Sequence, residues 1–190
     1  MKKRIAILAS GAGSNAQRII EYFKEFGRAD VVLVGCNNPN ALVLKKVADL
    51  GVSSFVFNKS ALKSLSVVLD KLLAERVDLI VLAGFLLKVP ESLVHAFPNR
   101  IINLHPALLP KFGGEGMYGK HVHKAVIEAQ EKESGITIHY VNEYYDDGAI
   151  IFQAKCVVNE NDDAETLAQK IHALEHEHFA KTIDQIIQTL

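Results

Sequence analysis

The chain has no tryptophan, two cysteines, and almost no surplus of charge of either sign. Each shortage excludes something. Cys36 and Cys156 are too few for the framework of a disulfide-stapled secreted domain. Both lie in apolar runs, where a thiol serves as a small buried hydrophobe in a reducing compartment. A net charge of −1 leaves no electrostatic footprint for nucleic acid or an anionic membrane. No apolar run approaches the ~20 residues of a membrane span. Met1-Lys2-Lys3-Arg4 imitates the start of a signal peptide, but Ile5-Ala6-Ile7-Leu8-Ala9 is shorter than the ~7–15 residues of an h-region. The expectation is a cytoplasmic protein without a nucleic-acid or membrane partner. Its 190 residues are enough for one core and read as one domain.

What is present is an alternation of strand-length apolar runs with helical patterns. Residues 4–9, 31–36, 52–57, 77–83 and the stretch ending at His105 read as strands. Between them, Ile19, Ile20 and Phe23 share a helical face ahead of Gly27, and residues 41–50 form a helix closed by Gly51. Leu62, Leu65, Leu69, Leu72 and Leu73 make one stripe at helical period, and residues 90–97 read as a short helix. This alternation predicts an α/β fold: a single doubly wound, mostly parallel sheet with helices on both faces. After residue 105 the pattern changes. Residues 111–120 form a Gly-rich loop and 122–131 a helix. Ile136, Ile138 and Tyr140 alternate with Thr137 and His139, which predicts a half-buried strand, and residues 149–158 predict another. Their connection, 142–148, is too short for a parallel crossover, so antiparallel pairing is expected in the C-terminal part. The last helix starts near Asp162 or Asp163, with Glu165 as the expected capping-box partner, and carries Leu167, Ile171, Leu174, Ile183, Ile186 and Ile187 on one stripe.

The chemistry centres on Ile101-Ile102-Asn103-Leu104-His105-Pro106. Alternate strand residues point to one face, so Asn103 and His105 are two donors aimed at one place. Pro106 ends the strand there, and open α/β sheets bind ligands at the carboxyl ends of their strands. Asp146-Asp147-Gly148 follows the next strand. A carboxylate near His105 is expected to raise the imidazole pKa and favour its charged form. A charged imidazole beside an amide suits a developing oxyanion. No serine or cysteine has a neighbouring base, so the pattern points to acyl or formyl transfer without an enzyme nucleophile.

Gly11-Ala12-Gly13-Ser14-Asn15-Ala16 follows a strand and opens a helix, which makes it an anion site. It fits the dinucleotide pattern G-x-G-x-x-A, but the second strand ends in Cys36-Asn37 rather than an acidic residue, so a single phosphate is favoured over a dinucleotide. His172-Ala173-Leu174-Glu175-His176 fits the H-x-x-E-H pattern of a zinc hydrolase, with Glu177 and Asp184 left downstream as a third ligand. His121 and His123 form a second metal-like pair with no further ligands.

Asn103-Leu104-His105-Pro106-Ala107-Leu108-Leu109-Pro110 resembles the N-x-H-P-S-L-L-P signature of the 10-formyltetrahydrofolate-dependent formyltransferases. Gly11-Ala12-Gly13-Ser14-Asn15 resembles the G-x-G-S-N loop of the branch that acts on phosphoribosylglycinamide (GAR). Leu82-Ala83-Gly84-Phe85 and the D-x-G of Asp146 and Gly148 are similar to further family motifs. The resemblance implies a cytoplasmic enzyme of purine biosynthesis, monomer or homodimer, that uses 10-formyltetrahydrofolate as co-substrate and no metal. It implies one formyltransferase domain over residues 1–190, with a phosphate-binding half (1–100) and a catalytic, folate-binding half (101–190). His105 would be the general acid, Asn103 the second oxyanion donor and Asp146 the group that tunes the histidine. Gly13, Ser14, Asn15 and Glu175 would hold GAR. Leu86, Leu87, Lys88, Val89, Asn103, Tyr140, Val141 and Asn142 would line the folate site. The family's M-R-I-L run is Leu86-Leu87-Lys88-Val89 here, without its arginine.

Overall fold

In the computed structural model, which describes residues 2–64 and 66–190, the chain runs β1 (Lys3–Ala9), α1 (Ser14–Phe26), β2 (Ala29–Cys36), α2 (Leu42–Asp49), β3 (Ser54–Val56), α3 (Lys59–Ser64), α4 (Ser66–Ala74), β4 (Leu79–Leu82), α5 (Glu91–Ala96), β5 (Ile101–His105), α6 (Lys120–Glu128), β6 (Glu133–Tyr140), β7 (Ile150–Val157) and α7 (Ala164–Thr189). The strands make one seven-stranded sheet in the order β3-β2-β1-β4-β5-β6-β7. The first five are parallel, and β6 and β7 are antiparallel, as the short connection demanded.

Each face of the sheet carries its own core. Ile5, Ile7, Val34, Val81 and Ile102 pack against α1, α2 and α7. Ala6, Leu8, Leu33, Ile80 and Ile101 pack on the other side under α3, α4 and α5. Strands β1, β4 and β5 are therefore apolar on both faces, which is why they read as continuous runs. The chain leaves β1 in one direction for β2 and in the other for β4. That reversal opens a crevice at the carboxyl ends of β1, β4 and β5.

Several expectations need correction. Strands β3 (Ser54–Val56) and β4 (Leu79–Leu82) are shorter than their apolar runs. The leucine stripe falls on α3 and α4, and Leu65 lies outside the described residues. Leu62 and Leu72 are buried, but Leu73 is 58% exposed and Val68 fills the inner face instead. Strand β6 is not half-buried. Thr137 and His139 are as enclosed as Ile136 and Ile138, because α7 covers one face and the segment after β5 the other. Asp163 caps α7 through Thr166, its N3 residue, rather than Glu165; the Asp163 carboxylate accepts from the backbone N–H groups of both. Helix α6 begins at Lys120, earlier than the expected 122, so His121 as well as His123 lies on it.

Candidate active site

A cavity of about 550 Å³ occupies the crevice. Its floor is the end of β5. Asn103 pairs across the ladder with His139 of β6, and His105 with Thr137. Thr137 holds the turn that follows. Its hydroxyl donates to the Ala107 carbonyl (2.7 Å) and accepts from the N–H of Leu109 (3.0 Å) and from Gln153 (2.9 Å). The backbone beyond His105 is thus fixed by a fully satisfied buried hydroxyl.

Asp146 reaches this floor from the β6–β7 connection. It has a left-handed φ of 52°, a conformation that a non-glycine residue keeps only when its surroundings impose it. The next glycine but one permits the turn, since a Cβ on Gly148 would lie 1.7 Å from the Tyr140 carbonyl oxygen. The Asp146 carboxylate accepts from the N–H of Gly114 (3.0 Å) and from Asn103 Nδ2 (3.5 Å). It lies 3.5 Å from His105 Nδ1 and 3.6 Å from His139 Nε2. Burial raises its pKa, but His139, His105 and the Gly114 N–H together outweigh burial and hold the carboxyl below its usual range.

The two histidine tautomers follow from their partners. His105 Nε2 lies 2.8 Å from the Phe112 carbonyl oxygen. A carbonyl only accepts, so Nε2 carries the proton and Nδ1, facing Asp146, is the atom that titrates. His139 Nδ1 lies 2.8 Å from the Tyr140 carbonyl by the same logic, which turns Nε2 towards Asn103 Nδ2 at 3.1 Å. The net shift at His105 runs against the sequence-based expectation. Burial, which leaves the side chain 3% exposed, lowers its pKa by more than Asp146 and the Phe112 carbonyl raise it. Burial therefore favours the neutral form of this imidazole, and Asp146 is the main group that favours the charged one.

The other end of the cavity is the glycine loop. Gly13 caps α1 in the left-handed conformation with no side-chain cap, so the first N–H groups of the helix are open to the crevice. A Cβ at Gly13 would lie 2.5 Å from Val43 Cγ2. Asn15 Nδ2 donates to Glu175 on α7 at 2.8 Å, and His172 Nδ1 is 3.7 Å from the same carboxylate. Burial raises the Glu175 pKa, and Asn15 and His172 partly oppose the rise. Gly13, Ser14, Asn15 and Glu175 thus meet at one place although 160 residues separate the last two.

The third wall is the segment after β4. Ser10 Oγ accepts from the N–H of Leu86 at 2.9 Å. Leu86, Leu87, Lys88, Val89, Asn103, Val141 and Asn142 all line the cavity. Leu87, at the position of the family's arginine, packs against the core. Lys88 reaches the rim with Nζ 5.4 Å from the centre of the Tyr145 ring. Tyr140, next to Val141, lies outside the cavity wall and packs against the core, with its carbonyl holding His139.

Sequence reasoning missed His139 and read His123 only as half of a metal-like pair; both line the cavity, as does Tyr145 of the 140–146 loop expected along the folate. The one signal for His139 was its place in the antiparallel register, directly opposite Asn103. The zinc-hydrolase alternative lacks a ligand cage. Among the described residues, the trio whose ligand atoms lie within 4.8 Å of one another is Glu91, His95 and Glu143 on the surface, and it includes none of His172, Glu175 or His176. Helix α6 turns His121 outward, edge-on to Tyr118, and His123 inward. No described helix is long and apolar enough to cross a membrane.

The chain is similar in sequence and fold to known proteins. The formyl transferase family matches residues 3–183. Phosphoribosylglycinamide formyltransferase of Bacillus subtilis (strain 168) is 36% identical over 192 residues, covering 97% of this chain and 95% of the relative. The chloroplastic phosphoribosylglycinamide formyltransferase of Arabidopsis thaliana is 40% identical over 193 residues, and this chain spans 66% of its length. The crystal structure of glycinamide ribonucleotide transformylase 1 from Symbiobacterium toebii superposes with a TM-score of 0.91 at 33% identity, covering 99% of this chain and 89% of that one. In sequence and in fold, the chain belongs to the formyl transferase family, among the phosphoribosylglycinamide formyltransferases.

Proposed function

We propose that the protein transfers the formyl group of 10-formyltetrahydrofolate to the amine of GAR in purine biosynthesis. One observation carries this reading. A single cavity has an anion-binding helix start at one end and Asn103, His105 and Asp146 at the other. The GAR phosphate sits on the N–H groups at Gly13, Ser14 and Asn15, with Glu175 on its sugar side. The folate lies along residues 86–89 and 141–142. The GAR amine attacks the formyl carbon, a new C–N bond forms, and the carbonyl oxygen becomes an oxyanion. Asn103 and the protonated Nδ1 of His105 stabilise that oxygen. Collapse breaks the bond to N10 of the folate. The amine gives up one proton and N10 takes one, and Asp146 and His105 move it between them. Placing the phosphate and the formyl donor in one crevice supplies the orientation that the reaction needs. These residues supply the chemistry without a metal, and the protein works in the cytoplasm as a monomer or homodimer.

The test is formyl transfer from 10-formyltetrahydrofolate to GAR with EDTA present, wild type beside His105→Ala. The expected result is turnover in wild type and a loss of at least ~10²-fold in the variant. No turnover, or turnover that EDTA abolishes, refutes the reading.

A further inference from the structure

The reaction as derived leaves His123, a buried titratable side chain of the cavity, unused. His123 is 4% exposed and lines the crevice from α6. The residues that perturb it electrostatically are His172 and His105, one at each end of the cavity, so it stands beside the middle of the space. Its Nδ1 is enclosed and has no hydrogen-bond partner among the described residues. A buried N–H without an acceptor is rarer and costlier than a bare acceptor, so the ring proton belongs on Nε2. With Nδ1 enclosed, Nε2 is the nitrogen open to the cavity. Burial and the two neighbouring histidines lower the His123 pKa to about 4, which keeps the ring neutral under assay conditions. The cavity wall therefore presents a neutral N–H donor with no acceptor among the described residues.

The position identifies the chemistry of its partner. A phosphosugar amine anchored at Gly13 and reacting at His105 lays its sugar across the middle of the crevice. Glu175, at the glycine-loop end, offers an acceptor and His123 a donor further along the wall, so hydroxyls of one sugar can donate to the first and accept from the second. We propose that His123 is a binding residue that donates from Nε2 to a ribose hydroxyl of the acceptor substrate. The inference rests on the proposed function, because it takes a ribosyl phosphate to be the acceptor.

The test is a cycle of three acceptors against three enzymes. The acceptors are GAR and its 2′-deoxy and 3′-deoxy forms. The enzymes are wild type, His123→Leu, which fills the volume, and His123→Gln, which keeps a side-chain N–H. The Leu variant should raise KM for GAR about tenfold and leave KM for the folate unchanged, and the Gln variant should restore most of the loss. For one deoxy acceptor, the Leu variant and wild type should have the same KM, because the hydroxyl that His123 serves is gone. The inference is overturned if the Leu variant keeps KM for GAR within twofold, or if it loses the same factor on all three acceptors. Should the Leu variant fail to fold, His123→Ala, which also lacks the N–H, runs through the same acceptors with the same two outcomes. A wild type that formylates no GAR refutes the proposed function, and the inference with it. An active wild type indifferent to His123 refutes the inference alone.

Discussion

Asp146→Asn isolates electrostatics from shape. The amide keeps the size of the carboxylate and can still accept from the Gly114 N–H, so the left-handed turn before Gly148 survives. What it removes is the negative charge 3.5 Å from His105 Nδ1. Opposite unit charges at that distance attract by about 5 kcal/mol at an effective dielectric of ~20. The desolvation of both groups and the remaining amide dipole offset part of that. The variant should lose ~2–4 kcal/mol of imidazolium stabilisation in the transition state, or about 30- to 1,000-fold in kcat. Both KM values should stay within about threefold. The sign of the pH effect follows from the same charge. His105 already sits below the ordinary imidazole pKa through burial, with Asp146 the main opposing influence. Without Asp146 it falls further, so protonating it becomes harder as pH rises, and the loss should shrink towards acid. Steady-state formyl transfer from pH 6 to 8.5, with thermal melting to confirm folding, measures this. A variant with kcat within threefold of wild type, or a loss confined to KM, would refute the assignment of Asp146 as the group that charges His105.

Gly13→Ala imposes a left-handed alanine, at ~1–2 kcal/mol, and sets its Cβ 2.5 Å from Val43 Cγ2 and 2.8 Å from Val43 Cα. The loop must shift, so stability should fall by at least ~2 kcal/mol in urea titration, with KM for GAR rising at least tenfold. His123 predicts an acid-sensitive fold. Its pKa of about 4 in the native state lies below the ~6.5 of the unfolded chain, so the unfolded state protonates first. The stability it contributes is whole above pH ~6.5 and drains as pH falls towards 4, about 3 kcal/mol by pH 4. Urea titrations at pH 7 and pH 4 should show His123→Leu losing less stability than wild type by about that amount, and equal losses would contradict the burial argument.

The sequence carried more of the site than is common because its motifs are local. Asn103 and His105 share a strand face by backbone geometry alone. Gly13 marks a strand-to-helix turn that only glycine fits. Both were legible without tertiary structure. His139 was not, because its role depends on the β5–β6 register, which a strand pattern does not specify. The setting of Tyr140 was hidden for a related reason. Its carbonyl is taken by His139, and its ring belongs to the core rather than the cavity. The burial of Thr137 and His139 also escaped the alternation pattern, because the second cover of β6 comes from a segment after Pro106 whose path no periodicity records.

By itself the sequence determined the α/β order of elements and the antiparallel turn at the C-terminal part, and it picked out the glycine loop and the Asn103, His105 and Asp146 group that the fold brings into one cavity, since each depends on neighbours in the chain. Tertiary structure alone decided which side of the His105 balance wins. Whether a carboxylate raises an imidazole pKa or burial lowers it depends on how much water the fold excludes, and that is a property of packing. It also decided that Asn15 meets Glu175 and that His123 faces inward with no partner. Contacts between residues so distant in the chain exist only once the sheet has set α1, α6 and α7 around one crevice.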